Sequence, residues 1–315
     1  MRSIIGAPSP CARVIRRIAL VPASAPPANP PAMKTAILKI NCPDQKGIVF
    51  NVSRFIFVRG GNIINSQQHC EELDQRFFMR VLFDRGDMKV STQELRRDLA
   101  GLAEGFSAEA HLQCSEDRRK IAVMVSKYDH CLYDLLLRER YGELAADIAV
   151  VVSNHTDLEH VAASFKVPFV YIPVEKDCKA AAEARAQEVF RQHHIDFVVL
   201  ARYMQILSAE FIESWPNRII NIHHGFLPAF KGSRPYHQAY ERGVKLIGAT
   251  SHYATADLDD GPVIEQETIR VSHSHSVSDM LALGREIERN VLAKAVRAHS
   301  DDRIMVYKKR TIVFD

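Results

Sequence analysis

Short apolar runs alternate with helical patterns between residues 120 and 200, and this alternation restricts the fold more than any other feature. The runs are almost continuously apolar, which is typical of strands buried on both faces. Four stretches share this character: 120–126, 147–153, 168–172 and 197–200. Three helical patterns separate them: 130–141, 158–165 and 180–193. Strands that alternate with helices predict a mostly parallel sheet with helices on both faces.

Residues 119–315 are therefore expected to form a Rossmann-like α/β domain. After residue 218 the alternation changes: strands are predicted at 219–222, 248–253 and 263–271, and a helix at 278–298. The chain has 315 residues, which is enough for two domains of about 100–200 residues each.

Residues 34–115 predict a smaller α+β domain. Strand patterns at 35–41, 62–70, 77–83 and 106–114 are interrupted by helices at 48–58 and 92–102. The first helix is expected to bury Val49, Val52, Phe55 and Ile56, and Gly60-Gly61 to end it. The order β-α-β-β-α-β is that of a ferredoxin-like fold.

Residues 1–33 differ from the rest. Seven of the 14 prolines lie in this stretch, and no acidic residue precedes Asp44. Such a segment buries too little apolar surface to fold. It is interpreted as a disordered tail, an organelle transit peptide or an extension from a misplaced start codon. We favour the last, because Met33 directly precedes the first strand pattern.

Charge and cysteine usage exclude several classes of partner. The 41 basic and 38 acidic residues give no concentrated basic face, so no nucleic-acid partner is expected. No apolar run approaches the roughly 20 residues of a membrane span. The six cysteines are scattered, which predicts free thiols in a reducing compartment and a cytoplasmic location.

Candidate catalytic residues cluster after the strand predicted at 219–222. Asn221 and His223 lie two apart in NIHHGFLPAFKG (221–232), so an extended backbone directs both to one side. Asp259 lies in a turn within HYATADLDDGP (252–262). An amide to bind an oxyanion, an imidazole and a carboxylate suit acyl transfer. No serine or cysteine nucleophile is evident, which favours direct attack by water or an amine.

The two motifs together resemble the folate-dependent formyltransferase family. The resemblance covers roughly the last 200 residues and implies that Asn221, His223 and Asp259 are catalytic. It also implies that a segment matching LARYMQIL (200–207) and the loop 255–259 bind the folate. The implied folate-binding residues are Met204, Ile206, Leu207, Thr255 and Asp257. Ala256 departs from the family, in which a carboxylate often stands at this position.

Three features point to the formyltetrahydrofolate deformylases within this family. A small domain precedes the catalytic one, residues 235–253 match closely, and VSKYDHCL (125–132) lacks the glycines of a phosphate-binding loop. The implied reaction is hydrolysis of 10-formyltetrahydrofolate to formate and tetrahydrofolate. It would balance one-carbon folate pools and supply formate for purine synthesis, without a cofactor beyond the folate substrate.

The first domain resembles the ACT domains through CPDQKGIV (42–49), the helix up to Gly60 and Asn62-Ile63. This resemblance implies a homo-oligomer and an amino-acid effector, glycine or methionine, bound near Asp44 and Gly47. The alternative is that Asp44 caps the helix and Gly47 permits the turn.

Other interpretations remain open. Alternatively, Asn221 is a turn amide, His223 is a core histidine and Asp259 is a turn residue. Asp257 and Asp260 are expected to be solvated or turn-forming. His224 and His237 are alternatively loop-forming, and Lys127 and His130 have no assigned role. No metal is expected, since the histidine pairs lack zinc-site spacing. Rival functions are formyl transfer to an amine and an inactive amino-acid-binding regulator.

Overall fold

The computed structural model describes residues 33–175, 178–229 and 235–315. Residues Lys34–Asp315 form one compact unit. The expectations for residues 1–32 lie outside the described residues. The division at about residue 116 into two domains stays a prediction, although each sheet described below has its own apolar core.

The first sheet contains four antiparallel strands in the order β2-β3-β1-β4. The strands are β1 (Thr35–Pro43), β2 (Asn62–Glu71), β3 (Arg76–Asp84) and β4 (Glu109–Cys114), and the helices are α1 (Ile48–Phe57) and α2 (Thr92–Glu104). Alternate residues of β1, from Ala36 to Cys42, pack against both helices. The predicted ferredoxin-like order is confirmed.

The buried face of helix α1 begins at Ile48, one residue earlier than the sequence pattern suggested. Ile48, Val52, Phe55 and Ile56 are buried, whereas Val49, predicted to be buried, is 40% exposed. Positions i, i+4, i+7 and i+8 share one face of a helix, and a helix that starts at Ile48 puts Val49 outside it.

The turn before α1 corrects a second expectation. Gly47 is the N-cap residue, at φ 91°, and no side chain caps the helix. Asp44 therefore does not cap the helix, and the alternative that gave it this role was wrong. The left-handed backbone at Gly47 is accessible at no steric cost only to glycine, which confirms its role in the turn.

The second sheet has seven strands in the order β11-β10-β9-β8-β5-β6-β7. The strands are β5 (Arg119–Val125), β6 (Ala146–Ser153), β7 (Phe169–Tyr171), β8 (Phe197–Leu200), β9 (Ile219–His223), β10 (Leu246–Tyr253) and β11 (Val263–Arg270). Strands β5 to β9 pair in parallel, and β10 and β11 add antiparallel to this edge. The predicted mostly parallel α/β sheet is confirmed.

Helices cover both faces of this sheet. They are α3 (His130–Arg140), α4 (Glu159–Ser164), α5 (Lys179–Gln192), α6 (Ala209–Glu213), α7 (Pro235–Glu241) and α8 (Val277–Ser300). Along β5, Ile121 and Val123 pack in the core that contains α3 and α8, whereas Ala122 and Met124 pack in the core that contains α5. This burial on both faces explains the continuously apolar strands. In the parts of the chain that the structure describes, every helix is too short or too polar to span a bilayer.

The C-terminal hairpin, missed by the sequence analysis, joins the two sheets. Its strands are β12 (Ile304–Tyr307) and β13 (Arg310–Val313). Phe78 of β3 packs on Met305 and Phe314. The buried carboxylate of Asp302 lies 2.8 Å from Lys39 Nζ of β1 and 2.6 Å from Arg119 Nη2 of β5. The hairpin was missed because each of its strands has only four residues and lies outside the strand–helix alternation.

The cysteines agree with the predicted free thiols. Cys42, Cys70, Cys114, Cys131 and Cys178 are unpaired. Cys11 lies outside the described residues.

Candidate active site

Asn221 and His223 lie side by side at the carboxyl end of β9. Asn221 is half-buried and His223 is buried. Both line one cavity of 290 Å³, as the spacing of two residues on a strand predicted. The carboxyl end of a parallel strand is where open α/β sheets place their ligands.

His252 of β10, to which the sequence analysis gave no role, orients the Asn221 amide. Antiparallel pairing places His252 opposite Asn221. His252 Nδ1 lies 2.9 Å from the Tyr253 carbonyl oxygen, so Nδ1 carries the proton and donates. Nε2 then accepts from Asn221 Nδ2 at 3.2 Å. Burial lowers the pKa of His252, so the ring stays neutral and keeps this acceptor. The second amide N–H and the carbonyl of Asn221 remain for a ligand.

A sharp return of the chain after β10 brings Asp259 over His223. The Tyr253 N–H donates to the Pro262 carbonyl at 2.9 Å, and a Cβ at Gly261 would lie 1.7 Å from the Tyr253 oxygen. Only glycine fits so close an approach. Asp259 itself has φ 54°, a left-handed conformation that aspartate tolerates better than most residues.

The predicted catalytic trio is brought together in this way. Asp259 Oδ2 lies 3.3 Å from His223 Nδ1, and Oδ1 lies 3.9 Å from His252 Nε2. The Asp259 side chain is only 7% exposed. A carboxylate at this distance can hold the imidazole in place and exchange a proton with it or with a nearby water.

Most of the predicted folate-binding residues form the apolar wall of the cavity. Met204, Ile206, Leu207 and Thr255 all line it. Met204 and Ile206 are exposed by 52% and 62%, so their apolar surfaces on this wall are open to contact with a planar ligand. The exposed side chain of Asp257 does not line the cavity. Its carbonyl accepts a hydrogen bond from the Thr255 hydroxyl at 3.0 Å.

A buried polar network adjoins the cavity through Arg202, which lines the cavity. Glu288 of α8 is 2% exposed. Its oxygens lie 2.9 Å from His130 Nε2 and 3.0 Å from the Tyr236 hydroxyl, which donates. Arg202 Nε lies 3.5 Å from Glu288 Oε2. Burial raises the pKa of Glu288, but the hydrogen bond from His130 and the charge of Arg202 outweigh it, and the net pKa is lowered.

This network shows the surroundings of His130 and His224, two residues whose roles the sequence left open. His130, from the glycine-free segment 125–132, binds Glu288 rather than a phosphate. His224 lines the cavity, and burial and the nearby Arg202 lower its pKa to about 3. Lys127 and His237 are exposed, and their roles stay open.

The network also brings together three groups of the kind that bind metals: His130, Cys131 and Glu288, whose ligand atoms lie within 4.8 Å of one another. Burial raises the pKa of the Cys131 thiol well above its usual value, whereas metal ligation requires the thiolate. The cationic Arg202 beside Glu288 also opposes a metal ion. These contacts fit a hydrogen-bonded network better than a metal site.

Comparisons with known proteins agree with this geometry. The formyl transferase family pattern matches residues 119–296. The formyltetrahydrofolate deformylase of Synechocystis is 48% identical over 280 residues, which are 89% of this chain and 98% of that protein.

Solved structures of the same family have the same fold as this chain. The crystal structure of the formyltetrahydrofolate deformylase from Pseudomonas syringae is 43% identical, with a TM-score of 0.88 over 90% of this chain and 95% of that one. A glycinamide ribonucleotide transformylase from Symbiobacterium toebii is 31% identical, with a TM-score of 0.60, and covers 63% of this chain and 95% of that one. The chain belongs to the formyltetrahydrofolate deformylase family.

Proposed function

We propose that this protein hydrolyses 10-formyltetrahydrofolate to formate and tetrahydrofolate. The observation that carries the proposal is the meeting of Asn221, His223 and Asp259 at one end of a cavity with an apolar wall. Family membership supports the same substrate and reaction. In the cell the reaction balances one-carbon folate pools in the cytoplasm and supplies formate for purine synthesis.

The apolar wall binds the folate ring system. Met204, Ile206 and Leu207 contact one part of the ring system, and the loop from Thr255 to Asp259 flanks the pterin. The ring then holds the formyl group against the polar end of the cavity. Positioning of this kind removes much of the entropic barrier to reaction.

The polar end carries out the chemistry. Asn221 and the imidazolium form of His223 donate hydrogen bonds to the formyl oxygen as the tetrahedral intermediate forms. Asp259 accepts a proton from the attacking water, directly or through His223. His223 then protonates the leaving nitrogen, and the carbon–nitrogen bond breaks. These steps need no cofactor beyond the folate.

Water, rather than a protein side chain, is the nucleophile in this proposal. Among the described residues that line the cavity, none is a serine or cysteine. The glycine-free loop between β5 and α3 presents side chains where a phosphate-binding loop would present backbone N–H groups, so an amine acceptor that carries a phosphate has no evident site there.

Formate release by purified protein tests the function. We expect formate and tetrahydrofolate in equal amounts from 10-formyltetrahydrofolate alone, without any amine. Release only after an amine acceptor is added would make the protein a transferase. Inertness under both conditions would revive the regulator hypothesis.

Substitution of Ile206 by serine tests the folate wall. Loss of this apolar contact, worth about 1.5 kcal/mol when fully buried by the ligand, is expected to raise KM about tenfold with kcat nearly unchanged. Because Ile206 is 62% exposed, the melting temperature should not change. Leu73→Ser, at a residue 89% exposed and outside the cavity, is the control. An unchanged KM in Ile206→Ser would exclude this residue from folate binding.

Regulation and assembly are proposed from the resemblance of residues 34–115 to the ACT domains. An amino-acid effector, glycine or methionine, would act at the turn that contains Asp44 and Gly47, and the protein would be a homo-oligomer. In this turn the Cys70 thiol donates to Asp44 Oδ2 at 3.4 Å. Calorimetric titration with each amino acid tests the effector, and absence of binding by both would refute it. Light scattering tests the oligomer, and a monomer mass would refute it.

A further inference from the structure

Arg202 is a buried cation at the polar end of the cavity that the proposed mechanism does not use. It lies two residues after the end of β8 and has φ 63°, a conformation that is uncommon for a large side chain and costs free energy. Its side chain is only 9% exposed. It lines the same cavity as His223 and His224. The positive charge of Arg202 is therefore held beside the cavity by a strained backbone.

The hydrogen-bonding capacity of Arg202 is incompletely used. Within the part of the chain that the structure describes, its buried Nε and Nη1 atoms have no hydrogen-bond partner. Glu288 Oε2 lies 3.5 Å from Nε, but the Glu288 oxygens already pair with His130 and Tyr236. The guanidinium otherwise rests against the ring of Tyr128, 4.8 Å from its centre. A buried cation in this state gains from any anion that reaches it.

The reaction itself produces such an anion. Water adds its oxygen to the formyl carbon, the bond from that carbon to nitrogen breaks, and the nitrogen takes one proton of the water. The formic acid formed releases its proton, so a neutral amide becomes formate. This charge arises beside the buried carboxylate of Asp259, and two like charges in a poorly solvated cavity repel strongly.

Arg202 is the one lysine or arginine that lines this cavity within residues 33–175, 178–229 and 235–315. The rings of His224 and His252 offer no lasting charge, because burial lowers the pKa of both. Once His223 has given its proton to the leaving nitrogen, Arg202 is therefore the cation that remains for formate among the described residues that line the cavity.

We propose that Arg202 forms a product subsite that binds formate, a small planar carboxylate, at the polar end of the cavity. The inference rests on the proposed hydrolysis. The other carboxylates of the system belong to the glutamate part of the folate, which must reach solvent, and a side chain that is 91% buried is unsuited to them. Arg202 thus accounts for product binding, while Asn221 and His223 bind the reacting oxygen.

Equilibrium binding of ¹³C-formate in the absence of folate tests the subsite. Binding is measured from the broadening of the formate NMR line. The wild type is expected to bind formate, and Arg202→Gln to bind it at least about tenfold more weakly. Arg202→Lys should retain part of the affinity. Glu288→Gln should bind formate more tightly, because it removes a competing carboxylate while keeping the shape. Arg218→Gln, which alters a cation stacked on Trp215 outside this cavity, should match the wild type.

Opposite shifts in the Arg202 and Glu288 variants separate a charge effect from damage to the fold, which would weaken binding in both. Unchanged formate affinity in Arg202→Gln, or weaker affinity in Glu288→Gln, would overturn the subsite. Binding of p-aminobenzoylglutamate, which mimics the folate tail, should be unaffected in Arg202→Gln, and its loss would assign Arg202 to the tail. A wild type that hydrolyses the substrate without binding formate refutes only the subsite. One that binds formate without hydrolysis refutes the proposed reaction.

Discussion

Asp259→Asn is expected to lower kcat for formate release about 100- to 10,000-fold, the range attributed to a positioned proton acceptor. The amide has nearly the size of the carboxylate but cannot take a proton from water or stabilise the His223 imidazolium 3.3 Å away. Steady-state formate release measures the effect. The melting temperature should change little, because the replaced side chain keeps its shape.

Asp260→Asn is the matched control for this substitution. Asp260 is the next residue along the same turn, but it is exposed and pairs with Lys309 at 3.4 Å on the surface. Its variant should keep nearly full activity. Loss of less than tenfold in Asp259→Asn, or equal losses in both variants, would remove Asp259 from the chemistry.

Asn221→Ala is expected to lower kcat and kcat/KM together by about 100- to 1,000-fold, as removal of one oxyanion donor does in other enzymes. The amide is held in one orientation by its hydrogen bond to His252 Nε2 at 3.2 Å, so its free N–H is already directed and no reorganisation is needed in the transition state. Steady-state kinetics over a range of 10-formyltetrahydrofolate concentrations measures both constants.

Asn290→Ala, an exposed asparagine on α8, provides the comparison for Asn221→Ala. A loss under tenfold in Asn221→Ala would count against the oxyanion role. A rise in KM with unchanged kcat would instead show that Asn221 binds the substrate and its transition state equally.

The architecture was largely predictable because burial leaves a regular trace in sequence. Strands covered on both faces must be apolar at successive positions, as in β5 and β6, and the helices between them must run back over the sheet. The boundaries of these elements were predicted to within a few residues. Helices α6 and α7 and the hairpin β12–β13 were missed. They have four to seven residues each, too few to show a period, and they lie outside the regular strand–helix alternation that revealed equally short elements such as β8 and α4.

The candidate site was predictable where its residues share a segment. Asn221 and His223 are two apart on one strand, and an extended backbone fixes their common direction whatever surrounds it. The turn at Asp259 was visible from its Asp-Gly-Pro sequence. Asp257 was carried over by resemblance, but it is exposed and does not line the cavity, since a side chain's direction in an irregular turn is not set by its spacing.

The pattern of buried strands and helices and the chemistry of the Asn221–His223 pair could therefore be read from the sequence alone. The other features of the site depend on contacts between residues far apart in the chain. The pairing of β9 with β10 makes His252 the partner of Asn221, and the packing of α8 brings Glu288 to His130, 158 positions away. Local periodicity reports which face of an element is buried. It does not indicate which distant polar groups come into contact there, because such contacts depend on strand register and helix packing over the whole fold.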